Sequence, residues 1–487
     1  MPSLSTTSNK IFIAGENVID DWKDSNSLQK LKTLIKNYLE LDNVSFLFGA
    51  GSSIILGSIS IATIPKAFEE AILKIPNHEG DQTINAAHEE FIQIISSVQH
   101  TDSVKRQPLV ENGVDVPGNI EFPLESLLNI LIAIDFIQDI SKGLIQNKYI
   151  KDLITVLKEE LFKTCDLEML PNKTTSMEAD EIKSLEANKF VFHEKFTKKI
   201  LQRPLNLKRV NIFTTNYDLA FDSAFDRLGV HYINGFSGFH KRTFKPETYD
   251  YDLFFPGSTT QGKVTRIEKV LKYYKIHGSL TWVQTEPGGD NVYGIEEWPI
   301  ELVRTKKQFN KLMIYPSAAK KSYTLDFPYS ELFRHFAATV TQQQSVLITF
   351  GYSFSDEHIN DIIYQALTIP SFTLIIIDFK GTGNQEISRL NLLKDPRIII
   401  LEGNQLGSFP FFVEQVLPDF IEENIHGKIA ETLKNLYDKK SKGELDNDLG
   451  DNPLTSPPSP TIEASNTLTV PTKPPQNTND PDNDLPF

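Results

Sequence analysis

His277 stands in KYYKIHGSLTW, at the end of a β-prone apolar run and directly before Gly278. An unperturbed imidazole titrates at ~6.5, so a histidine in this position can serve as a general base near neutral pH; a hydrogen-bonded structural histidine is the alternative. A second run, VNIFTTNYDLAFDSAFDRLG, places Thr215, Asn216, Tyr217 and Asp218 where a strand gives way to a helix. Open α/β sheets bind ligands at the carboxyl ends of their strands, but the same spacing fits a helix start with Asn216 or Asp218 as its cap. FLFGAGSS carries Gly49, Ala50, Gly51 and Ser52 behind an apolar strand. Glycines there let backbone approach a ligand, and amides at a following helix start can hold phosphate; a third glycine is missing, so a plain tight turn fits too.

Two further runs end in polar residues. SVLITFGYSFSDEHINDIIYQAL offers Gly351 and Ser353 as ligand contacts, with Ser355 expected to cap the helix that follows. Asp356 and His358 resemble a metal pair, yet both fall in the first helical turn, where an acid simply favours the macrodipole, and no metal is expected. FTLIIID closes on Asp378, an acid able to accept hydrogen bonds from ribose hydroxyls.

These residues need a scaffold that gathers them. Strands are predicted at 44–50, 210–215, 272–278, 345–351, 372–378 and 397–403, several as continuous apolar runs of the kind buried on both faces. Alternation with helical periodicity predicts an α/β fold, a Rossmann-like, mostly parallel sheet. One such sheet would bring His277, Asn216 and the glycine turn to a single edge. Between the first two strands the texture changes. Leu124, Leu127, Leu128, Leu131 and Ile134 form a helical stripe, and 148–163 reads likewise, so a helical insertion is predicted over about 62–205. Two long polar loops, 101–119 and 171–189, interrupt it and are candidates for assembly or gating, or for covering the sheet. The expected organisation is an arm over 1–28, one domain over 29–440 ending in a helix at 418–440, and a tail over 441–487.

Composition narrows the function classes. The chain has 487 residues and a net charge of −15. Its last 45 residues hold eight acids, one lysine and nine of the 27 prolines, which predicts a disordered tail and leaves the body only mildly acidic. That balance argues against broad nucleic-acid binding through phosphates. A single cysteine, Cys165, excludes an intrachain disulfide framework and a multi-cysteine zinc site. With no apolar run of membrane length and no signal-peptide pattern, a cytoplasmic protein is expected.

Taken together, FGAGSS, TTNYD, KIHGSLTW and FGYSFSD resemble, in this order over about 310 residues, the sirtuin-like NAD-binding domain of bacterial antiphage defence proteins. NVSFLFGAGSS, IFTTNYDLAFDSAFDRLG, INGFSGFH, YYKIHGSLTW, MIYPSAAK and the closing LPF are similar to the sirtuin-like subunit that partners a HerA-type ATPase. The resemblance covers roughly residues 40–425. It implies that Asn216 sits at the nicotinamide ribose and that His277 is the general base. It places Gly49, Ala50, Gly51 and Ser52 around the diphosphate, Thr215 and Asp218 beside the dinucleotide, and Gly351 and Ser353 near the adenosine. Asp378 falls where sirtuins usually carry a ribose-binding Asn.

Protein-deacylating sirtuins have a four-cysteine zinc module that this chain cannot build, which favours hydrolysis of NAD+ to nicotinamide and ADP-ribose. A non-catalytic NAD or ADP-ribose sensor and an NAD-dependent deacylase are the alternatives. The resemblance further implies a large homo-oligomer on a hexameric HerA-type ATPase, depleting NAD during phage infection, without membrane or sequence-specific nucleic-acid binding. The tip Asp480–Phe487 resembles the acidic end of single-stranded-DNA-binding proteins and suggests a docking peptide, with a solvating tail as the alternative.

Overall fold

Each apolar run predicted as a strand lies in one nine-stranded sheet of the computed structural model. The structure describes residues 9–18, 25–58, 64–98 except 82 and 84, 109–111, 114–116, 124–141, 147–174, 177–255, 266–307 and 327–420. The predicted helix at 418–440, the tail and the MIYPSAAK motif lie outside the described residues, apart from 418–420.

In chain order the strands are β1 (Lys10–Ile13), β2 (Glu16–Asn17), β3 (Asn43–Phe48), β4 (Leu109–Glu111), β5 (Val114–Val116), β6 (Asn211–Thr214), β7 (His231–Ile233) and β8 (Phe236–Ser237). They continue as β9 (Arg242–Phe244), β10 (Val270–Lys275), β11 (Trp282–Gln284), β12 (Ile295–Glu297), β13 (Ser345–Phe350), β14 (Thr373–Asp378) and β15 (Ile398–Glu402). The main sheet runs β2-β1-β15-β14-β13-β3-β6-β10-β7. Its seven strands from β15 to β7 are mutually parallel, and β1 joins β15 antiparallel. The expected α/β, mostly parallel, Rossmann-like architecture is therefore what the chain adopts. The N-terminal arm, unassigned from sequence, supplies β1, with Lys10 opposite Glu402, and the edge strand β2.

Both faces of the sheet are buried, which explains the continuous apolar runs. Phe46, Phe48, Ile212, Ile348 and Phe350 face one core, while Leu47, Phe213, Leu347, Ile376 and Ile400 face the other. The two sets alternate because successive strand residues point to opposite faces. The first core is covered by α1 (Ser25–Leu39), α7 (Val191–Leu201) and α8 (Ala220–Leu228). The second lies under α10 (Tyr329–Val340), α11 (Glu357–Leu367) and α12 (Gln385–Leu392).

A third core belongs to the predicted helical insertion. It is built from α2 (Ile64–Ile72), α3 (Ala86–Val98), α4 (Leu124–Ile140) and α5 (Ile150–Cys165), together with Tyr217, Leu280 and Val303 of α9 (Ile300–Lys306). The end of the insertion behaves differently. Leu185, Phe192 and Phe196, from α6 (Ala179–Ala187) and α7, pack in the first core of the sheet. The segment 171–189, expected as a loop, thus contains α6, whose start is fixed by Glu181 accepting from the Glu178 amide at 3.1 Å. Glutamate is not a favoured cap residue, which hid this helix in the sequence. The other expected loop, 101–119, contains the antiparallel ladder of β4 and β5.

Chain order decides where a crevice opens. From β3 the chain moves to β6 on one side, whereas β13, on the other side of β3, leads away to β14 and β15. The carboxyl ends of β3 and β13 therefore flank a topological switch point, the place where open α/β sheets bind ligands.

Candidate functional site

The turns after β3 and β13 are built into one another. The Gly49 amide donates to Phe350 O and the Gly51 amide to Gly351 O, both at 3.0 Å. Gly351 has φ +58°, and a Cβ on it would lie 2.4 Å from the Gly51 Cα. A Cβ on Gly49 would lie 2.5 Å from Gly351 O. The glycines of FGAGSS and FGYS thus permit two turns to touch, a need that spacing alone did not reveal.

That contact changes the expected phosphate cradle. β3 runs directly into two 3-10 turns, Ala50–Ser52 and Ile54–Leu56, rather than into an α-helix. Ser52 and Ser53 donate their amides back to Gly49 O and Ala50 O, at 3.1 and 3.0 Å. Among the described residues, the Ala50 amide is the one in Gly49–Ser53 without a protein acceptor.

Asn216 follows β6, past Thr214 and Thr215, both tied to Phe48 O. Its Nδ2 lies 3.0 Å from Gly49 O and 3.2 Å from the hydroxyls of Ser52 and Ser53. A backbone carbonyl only accepts, so the amide orientation is determined, and Oδ1 remains as the group Asn216 can offer a ligand. The alternative role as a helix cap falls away: α8 begins at Ala220, and the Asp218 carboxylate accepts from the Ala220 amide at 3.0 Å.

Asp218 is buried, and burial raises its carboxyl above the usual range while the Lys275 ammonium opposes the shift. Lys275 donates to Asp218 O and, at 3.1 Å, to Asp222 Oδ2, which also accepts from the Tyr273 hydroxyl at 3.1 Å. This internal network anchors the TTNYD turn from beneath.

His277 lies two residues past the end of β10, in a turn closed by the Gly278 amide on Lys275 O. The ring is buried, and Nε2 stands 3.0 Å from Asp356 Oδ2. The pair has the distance of an ion pair without the alignment of a hydrogen bond. Asp356, rather than Ser355, caps α11, its Oδ1 accepting from the amides of His358 and Ile359. Ser355 instead meets Ser353, Oγ to Oγ, at 2.8 Å.

One cavity of about 150 Å³ collects Gly49, Ala50, Thr215, Asn216, Asp218 and His277. Gly351, Ser353 and Asp356 also line it. Gly51 and Ser52 stand behind this wall, bonded to Gly351 O and to Gly49 O. Asp378 is not among the lining residues; its Oδ1 accepts from the amides of Lys380 and Gly381 at 2.8 Å, closing its own turn.

The opposite wall was not foreseen. Ile64 of α2 and Leu161, Thr164 and Cys165 of α5 line the same cavity. Burial pushes the Cys165 thiol up to about 12, so it is no thiolate nucleophile at neutral pH. Among the described residues no group of three or more His, Cys, Asp or Glu is placed to hold a metal ion, and no helix is long and apolar enough to cross a membrane.

Comparison with known proteins adds a family likeness. No curated protein matches the chain. Residues 210–398, which carry Asn216, His277, Gly351 and Asp356, match the family described as SIR2-like domain. Over these residues the chain is similar to that family, and with the switch-point cavity the likeness supports a sirtuin-like, NAD-related enzyme.

Proposed function

We propose that the chain hydrolyses NAD+ to nicotinamide and ADP-ribose. One observation carries the reading: an oriented amide, Asn216, and an imidazole, His277, meet in one cavity at the switch point of a parallel sheet. The cavity is below the ~300–1,000 Å³ of pockets that enclose a whole drug-sized ligand, so only the reacting end of a dinucleotide would be enclosed.

The chemistry suits the residues. The bond between C1′ of the ribose and the pyridinium nitrogen breaks with its electron pair going to nicotinamide, which leaves neutral. No acid is needed for this leaving group. Positive charge grows on the sugar as in glycoside hydrolysis, and water adds its oxygen at C1′. Asn216 Oδ1 accepts a hydrogen bond from water or a ribose hydroxyl and holds it in line; His277 takes up the proton that water loses. The Ala50 amide supports binding of the diphosphate.

The test is nicotinamide release by purified chain. Asn216→Ala and His277→Ala are each expected to lower kcat by at least 100-fold, the scale of a lost acid–base or orienting group. Undiminished turnover in both variants sinks the assignment, and ADP-ribose binding without turnover points to a sensor. The four-motif resemblance supports a place for this reaction in NAD depletion beside a hexameric HerA-type ATPase. Co-purification with such an ATPase, followed by sizing, tests that partnership.

A further inference from the structure

Asp356 performs two tasks with one carboxylate. Oδ1 accepts from the His358 amide at 3.0 Å and the Ile359 amide at 3.4 Å, the ordinary work of a helix cap. A serine hydroxyl does that work about equally well, and Ser355 stands one residue earlier. Capping alone therefore does not require a carboxylate here. The second oxygen, Oδ2, is 3.0 Å from His277 Nε2.

The loop holding Asp356 is unusually constrained. Phe354, buried and bulky, sits at φ +53°, a conformation non-glycine residues seldom adopt, and such outliers concentrate where surroundings over-determine the backbone. Those surroundings are on hand: Asn360 Nδ2 donates to Phe354 O at 2.8 Å, and the Tyr352 hydroxyl reaches Asn360 Oδ1 at 3.1 Å and Asp356 O at 3.3 Å. The carboxylate is thus fixed before any ligand arrives.

We propose that Asp356 is the positioning residue of His277, holding Nε2 protonated so that Nδ1 is the nitrogen that accepts the proton from water. A carboxylate offers only acceptors, so its contact with Nε2 is favourable when Nε2 carries hydrogen, and the neutral ring then has its lone pair on Nδ1. When the ring gains the proton from water, the same carboxylate neutralises the imidazolium, the part played by the buried Asp of a Ser-His-Asp triad. Loose alignment without substrate is common for such pairs and tightens in the reacting complex. This inference rests on the hydrolysis reading for its kinetic arm only.

Asp356→Asn keeps a capping oxygen and removes the charge facing the ring; Asp356→Ser keeps the cap and removes the contact altogether. Both are expected to retain the wild-type thermal midpoint and a KM for NAD+ within about twofold, with kcat at least 100-fold lower. In a His277→Ala background, Asp356→Asn should cost nothing further, because its effect passes through the missing ring. Equal proportional losses in the two backgrounds, or kcat within threefold of wild type, overturns the proposal. Ring-15N shifts of His277, assigned by their disappearance in His277→Gln, read the tautomer whether or not NAD+ is turned over. The expected result is the Nε2–H form in the wild-type chain and a mixture in Asp356→Asn; an Nδ1–H wild-type ring overturns the role. A wild-type chain that leaves NAD+ intact would refute the hydrolysis reading, and the tautomer would then decide on Asp356 alone.

Discussion

His193 is fully buried between Phe221 and Phe409, ring centroids 4.8 and 4.6 Å away, and neither of its nitrogens has a hydrogen bond. Burial lowers its pKa to about 3, against ~6.5 in the unfolded chain. The native state then binds fewer protons, so stability is intact above about pH 6.5 and lost as pH falls from there toward 3. By pH 5 the loss amounts to about 2 kcal/mol. His193→Phe should remove that part of the acid sensitivity, read as a narrower gap between urea stabilities at pH 7.5 and 5. An unchanged gap would show that other groups carry it. Asp218 has the opposite shift for the same cause, burial, because a carboxylate is charged where a neutral imidazole is not.

At the scale of elements, the two glycine turns decide whether the site exists. Alanine at Gly351 meets both the left-handed backbone and the Gly51 Cα at 2.4 Å. The conformation alone costs roughly 1–2 kcal/mol, and separating the turns would break the bond from the Gly51 amide to Gly351 O. We expect Gly351→Ala to destabilise by more than about 2 kcal/mol and to abolish nicotinamide release, since the same loop carries Asp356. Gly229, at the end of α8, is a control with φ +62° and open space around a built Cβ. Gly229→Ala should cost about 1 kcal/mol and leave turnover unchanged. Comparable losses at the two positions would refute the role of turn contact.

For the molecule as a whole, the question is whether the helical layer is a separate module. Its core includes Tyr217 and Leu280, which adjoin Asn216 and His277, and α5 forms a wall of the cavity. Layer and sheet should therefore unfold together. Two tryptophans report on them: Trp282 is buried in the second core and Trp298 packs against the helical one. In variants retaining only one or the other, the urea midpoints are expected to coincide. Leu153→Ala, at a fully buried position of α5, should lower both by about 2–5 kcal/mol in stability and weaken NAD+ binding. Separate midpoints would make the layer an independent unit.

Much of this was legible from residue order. Strand period two and helical stripes are local properties, so the runs ending in Gly49, Thr215, His277, Gly351 and Asp378 could be read from neighbours in the chain, as could the parallel sheet that gathers most of them. What the tertiary structure decided are contacts between distant segments. The glycine turns meet across some 300 residues, leaving Ala50 as the open amide, and Asn216 is oriented by acceptors more than 160 positions away. Asp356, a first-turn acid by sequence, became the cap of α11 in place of Ser355 and faces His277, and α5 became a cavity wall. Residue types and local periodicity determine which groups stand at strand ends; only packing determines which of their atoms are already spent within the protein and which remain for a ligand.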